Sequence, residues 1–109
     1  MPTKLDATNK YKDWNNFFAE TVDEALKQIF KEDGTIVIYD FLEKQAKLKL
    51  EEAADKPELF SSSLEKLMVS ASRVIEQTIL TKLYSKRGLK FEEKDGYKFA
   101  DYITELREE

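Results

Sequence analysis

Apolar residues return at three- and four-residue steps from Tyr11 onward: Trp14, Phe17 and Phe18, Thr21 and Val22, Ala25 and Leu26, Ile29 and Phe30. Asp13, Glu20, Asp23, Glu24, Lys27 and Lys31 take the opposite side. That period predicts an amphipathic helix with one buried face, and "KEDG" predicts its break at Asp33-Gly34. Residues 1–9 are small, polar and unpatterned, so they read as a frayed arm ahead of a single domain over 10–109.

The next stretch, "TIVIYDFLEKQAKLKL", supports two readings. Thr35 to Tyr39 is β-branched and aromatic, as in a strand. Yet Ile38, Phe41/Leu42 and Gln45/Ala46 keep helical spacing. A helix from about Thr35 to Lys47 is the preferred assignment, and its apolar start predicts a place in the middle of a bundle. "EEAADKPELF" reads as a linker into a helix that starts at Pro57, or at Ser63 through the capping-box pattern "SSLE". Phe60, Leu64, Leu67 and Met68 share one face of it.

After a break near Ser70, a further helix is predicted from about Ser72 to Arg87, ending at Gly88. Ala71, Val74, Ile75, Thr78 and Ile79 form its expected inward face. "LKFEEKDGY" reads as a short extended piece near 89–94 with a turn at Asp95-Gly96. A last helix covers about Tyr97 to Arg107, with Phe99, Ala100, Ile103 and Leu106 inward. The predicted fold is all-α, a compact bundle of four to five helices.

Composition narrows the chemistry. The 109 residues contain no Cys and no His, which removes thiolate chemistry, the commonest general base and the commonest metal ligand. Lys+Arg 18 against Asp+Glu 22 gives a net charge of -4, a field that repels nucleic acid and anionic membrane. The opening "MPTKLDATNK" lacks the apolar core of a signal peptide, and no run approaches a membrane span. A cytoplasmic protein without cofactor or metal is expected. No phosphate-cradling Gly loop, metal-spaced cluster or nucleophile elbow occurs, and Ser61, Ser62 and Ser63 have no His to activate them. The pairs Asp23/Glu24, Glu32/Asp33, Glu51/Glu52 and Glu92/Glu93 read as solvated surface acids. The chain is therefore expected not to be an enzyme.

One feature exceeds a plain bundle, and a second invites a functional reading without requiring one. The first is the apolar side of the fourth helical pattern, where Ile79, Leu80, Leu83 and Tyr84 make a stripe wider than one packing neighbour requires. Either that helix is central, or Leu80 and Tyr84 meet a partner protein or a second copy in a homodimer. The second is "LTKLYSKRGLKF", where Lys82, Lys86, Arg87 and Lys90 gather without an acid among them. Helix-end capping is the preferred reading, with Glu92, Glu93 and Asp95 folding back onto the cations. Phosphate contact to nucleic acid is the alternative. The aromatic groups Trp14/Phe17/Phe18 and Tyr97/Phe99/Tyr102 read as core, with a carrier site for a small apolar ligand as the lesser option.

Through "VIYDFLEK", "PELF", "LEKLM" and "LYSKRGLKFEEKDGYKFADYI", about Ile36 to Arg107 resembles small archaeal helical domains of unassigned activity. Such domains stand alone or form the output part behind a response-regulator receiver. The chain departs from them at "MVSAS", which lacks the glycine of their central break. The resemblance implies a helical signalling or interaction module and no catalytic residues.

Overall fold

The computed structural model describes residues 3–108, with side chains described from Asp13 onward. The arm expected over residues 1–9 lies outside the residues whose side chains are described. Among the described residues the elements are α1 (Thr3–Ala46), α2 (Leu50–Ala53), α3 (Pro57–Leu67), α4 (Ser72–Lys86) and α5 (Phe99–Glu108), with no strand. The all-α bundle is as expected, and Thr35 to Tyr39 is helical.

The longest helix is folded on itself. A straight run of its length would span about 66 Å, yet the longest dimension of the molecule is 44 Å. The chain reverses at Lys31, whose φ of 64° and ψ of -172° interrupt an otherwise helical backbone. The break thus falls two residues before the expected Asp33-Gly34. Glycine at 34 serves packing instead: a Cβ there would lie 2.6 Å from the Phe30 Cβ. Across the reversal the Tyr39 hydroxyl donates to Asp23 at 2.6 Å. The second arm is not central, because Ile36 and Val37 face outward while Thr35, Ile38 and Leu42 are buried.

The first arm of α1 carries the core. Trp14, Phe18, Val22, Ala25 and Leu26 are buried along one stripe, as their spacing predicts. Phe18 meets Phe60 of α3 at 6.0 Å and Phe99 of α5 at 6.5 Å, and Phe60 meets Phe99 at 5.9 Å. The three rings join three helices at one point. Fully buried rings of this size contribute roughly 1.5–3 kcal/mol each by transfer from water. The linker after α1 is shorter than expected, since Leu50–Ala53 forms a helical turn that buries Ala53.

Helices α3 and α4 are separate, as the break near Ser70 predicts. The end of α4 follows the glycine rule in full. Gly88 has φ of 75°, its N–H donates to Ser85, and the Leu89 N–H reaches Tyr84. That pair of bonds is the Schellman arrangement. The chain then crosses back without regular structure through 89–94 and turns at Gly96, φ 81°, before α5. The Asp101 carboxylate accepts from the Lys98 N–H at 2.8 Å and closes the start of α5.

Candidate functional site

The inward face of α4 is rotated from the expected one. Ser72, Ile75, Ile79, Leu80 and Leu83 are buried, whereas Val74 is 56% exposed. Ile79 and Leu83 belong to the core of the single chain, and Leu80 is only 3% exposed. Ile79 and Leu83 offer no surface for docking, which corrects the sequence-based assignment, and Leu80 offers only the small edge it shows to a cleft. The cover comes from the chain itself: Phe91 returns over α4, 5.3 Å from the Tyr84 ring and 5.2 Å from that of Tyr102. Tyr84 is half-buried beneath it.

The basic stretch is largely engaged at the end of α4. The Lys86 ammonium donates to Thr21 at 3.1 Å and pairs with Glu24 at 3.0 Å. It also sits over the Phe17 ring. The Arg87 guanidinium lies 5.5 Å from the ring centres of both Trp14 and Phe17. These contacts tie the C-terminus of α4 to side chains of α1, whereas the capping expectation had the cations on the carbonyls of α4 itself. Lys82 is half-buried and Lys90 exposed. The acids do not fold back as expected: Glu93 pairs instead with Arg73 at 3.7 Å and accepts from Gln77.

What the packing does assemble is a cleft of about 690 Å³ between α3, α4, the 89–98 loop and the start of α5. Helix α3 contributes Glu58, Ser61, Ser62 and Glu65, and α4 contributes Arg73, Glu76, Gln77 and Leu80. Both sets follow the i, i+3, i+4, i+7 spacing of one helical face. The loop adds Phe91, Glu93, Lys94, Asp95 and Tyr97, and α5 adds Phe99, Asp101 and Tyr102. Leu80 forms its floor.

Glu76 is the distinctive group. It is half-buried between the helices and accepts a hydrogen bond from the Ser61 hydroxyl. Burial pushes its carboxyl above the usual carboxylate range, the Ser61 bond opposes that, and the neighbouring Glu65 charge adds to it. The aromatic wall is ordered. Tyr97 and Tyr102 stand 5.0 Å apart, and the Tyr102 hydroxyl accepts from the Lys94 N–H at 2.7 Å. Glu105 receives both the Tyr97 hydroxyl and the Lys94 ammonium at 2.7 Å, fastening the loop to α5.

No family model matches this chain, and neither a curated protein nor a solved structure is similar to it. Among the described residues no group of three or more potential metal ligands converges. No described helix is long and apolar enough to cross a membrane. The three rings at the centre, Phe18, Phe60 and Phe99, pack on one another as core.

In the sequence the serines and acids of this cleft stand in separate segments. The available signal is the repeated spacing: Glu58/Ser61/Ser62/Glu65 and Arg73/Glu76/Gln77 are polar faces on consecutive helices, the second continued by Leu80. Two such faces on adjoining helices must either be solvated separately or meet in a groove.

Proposed function

We propose that the chain is a non-catalytic docking module whose α3–α4–α5 cleft receives a basic segment of a partner protein. The charge of the lining carries this reading. Six carboxylates (Glu58, Glu65, Glu76, Glu93, Asp95 and Asp101) stand against three cations, Arg73, Lys94 and Lys98. Two of those cations are already paired, Arg73 with Glu93 and Lys94 with Glu105. Glu58, Glu65 and Asp95 enter no ion pair among the described residues. The Tyr97 ring already has the Lys94 ammonium 5.0 Å from its centre, an internal example of the cation contact this wall can make. The net charge of -4 would steer such a segment inward.

The lack of His and Cys supports binding over catalysis. The engagement of Lys86 and Arg87 within the chain supports a basic partner over nucleic acid. The signalling-output role implied by the family resemblance is of the same class.

The test is fluorescence anisotropy with a short, labelled Lys- and Arg-rich peptide at low and high salt. Binding that weakens with salt is expected. Glu58→Lys with Glu65→Lys should weaken it about tenfold, two rim charges at roughly 0.5–1 kcal/mol each. No binding at low salt, or an affinity indifferent to that double reversal, would overturn the reading.

Glu76→Gln separates binding from folding. Because the folded carboxyl is raised, the ionised form costs stability once pH climbs from the unfolded value, about 4.3, through the folded one. At neutral pH the amide should stabilise the fold by less than about 1 kcal/mol, half the group being solvated, and should lower peptide affinity. Chemical denaturation and anisotropy would read the two effects. A destabilised variant with unchanged affinity would remove Glu76 from the site.

A further inference from the structure

The reversal inside α1 rests on a single residue. Lys31 alone leaves the helical region, at φ 64° and ψ -172°. Glycine occupies that region readily, but a residue with a Cβ is strained there. Restoring helical angles at Lys31 would straighten α1, remove the strain and close the backbone hydrogen bonds that a reversal leaves open. A straight α1 of about 66 Å cannot fold back on its own bundle. The contacts between its arms, such as Tyr39 with Asp23, would then be lost unless a second copy supplied the missing arm.

We infer that two copies of this chain exchange the first arm of α1 about Lys31, forming a dimer in which each straightened α1 spans both halves. Every contact between arms is remade between copies, so the core is conserved. The dimer also has something to gain. Ile36 and Val37, each 62% exposed, lie within about 9 Å of the hinge along the helix. A symmetric exchange brings the two hinges together, so these aliphatics would gain cover that the closed chain lacks.

Gly34 and Lys31 set the balance in opposite directions. In the closed chain an added Cβ at 34 meets the Phe30 Cβ at 2.6 Å. In a regular helix residues four apart keep their Cβ atoms about 5–6 Å from each other. Gly34→Ala therefore penalises the closed form and favours the rod, alanine being the better helix former. Lys31→Gly relieves the closed form and disfavours the rod. The Thr35 hydroxyl bond to the Lys31 carbonyl, 2.7 Å, spans four residues and suits either state. This inference does not depend on the peptide-binding cleft.

Sedimentation velocity over a concentration series would test it on the full chain. Dimer should decrease in the order Gly34→Ala, wild type, Lys31→Gly, with at least about a tenfold change in dissociation constant at each step, as expected for strain of this class. Nitroxides at Glu20→Cys and Glu43→Cys, in a chain without native cysteine, would report the arm geometry. With unlabelled protein in excess, the dimer should give an intrachain backbone separation of about 34 Å, and the monomer the short separation of adjacent arms. A Gly34→Ala protein no more dimeric than wild type would overturn the proposal, as would a dimer that keeps the short separation. If Gly34→Ala does not fold, wild type refolded at high concentration decides: long-distance dimers support the exchange, while monomers alone or short-distance dimers refute it.

Discussion

The same three-residue clamp is built twice in this molecule. In the α1 reversal, the Tyr39 hydroxyl donates to Asp23 at 2.6 Å while Lys27 pairs with the same carboxylate at 3.0 Å. At the edge of the cleft, the Tyr97 hydroxyl donates to Glu105 at 2.7 Å while Lys94 pairs with it at 2.7 Å. Composition and distances are nearly alike, but the settings differ. Tyr39 is half-buried between helical arms, whereas Tyr97 is exposed on a loop. Burial pushes the Tyr39 hydroxyl far above the ordinary phenol range, with Asp23 adding to the effect. The Tyr97 hydroxyl is raised chiefly by its bond to Glu105. One clamp joins elements that pack; the other holds a segment onto an element already packed. Location, not chemistry, decides what each contributes.

The largest expected effect is therefore on the Tyr39 side. Tyr39→Phe keeps the ring and removes the donor, and should cost about 1 kcal/mol, below the full range for a bond to a charged acceptor because half the site is wet. Denaturant unfolding at neutral pH would measure it. The pH dependence has a definite sign. Burial raises the Asp23 carboxyl, but the Tyr39 and Lys27 bonds outweigh it and hold the group below its ordinary value. That stability is present above the unfolded value, about 3.9, and is lost as pH falls through the folded one. The raised Tyr39 acts at the other end: its contribution holds below about pH 10 and is lost as pH rises beyond that. Tyr39→Phe should flatten both limbs. If both limbs of the variant follow wild type, the two clamps are equivalent and the comparison fails.

Sequence and structure agree where one element decides the outcome. The α1 stripe from Trp14 to Leu26, the stop at Gly88 and the turn at Asp95-Gly96 follow from spacing and from residues that tolerate positive φ. Where two elements must meet, the pattern underdetermines the result. Glycine and aspartate at 33–34 mark a break, yet the reversal falls on Lys31, because arm-to-arm packing needs a missing Cβ at 34 more than a flexible φ. Helix α4 carries overlapping apolar stripes, and only the contacts with α1, α3 and α5 select Ile75, Ile79 and Leu83 over Val74. Tyr84 reads as part of an outward face because the segment that covers it, around Phe91, has no periodicity to announce its path. The cleft is the extreme case. Its helical faces are visible as spacings, but their meeting, and the half-burial of Glu76, exist only in the packed bundle.

The smallest expected effect falls on the exposed clamp, and it separates stability from recognition. Glu105 is held below the usual carboxylate range by its bonds to Lys94 and then Tyr97. Its contribution is present above the unfolded value, about 4.3, and fades as pH falls through the folded one. Glu105→Gln should leave global unfolding almost unchanged, because the Tyr102 hydroxyl still receives the Lys94 N–H and the Phe91 ring still rests on Tyr84 and Tyr102. Hydrogen exchange should nevertheless quicken in the 92–98 segment alone, since that segment forms one wall of the cleft and its outer fastening is gone. Basic-peptide affinity should fall by less than the loss produced by the Glu58/Glu65 reversal. A global destabilisation matching that of Tyr39→Phe would mean the loop is integral to the core, and the contrast between a packed clamp and a solvated one would not hold.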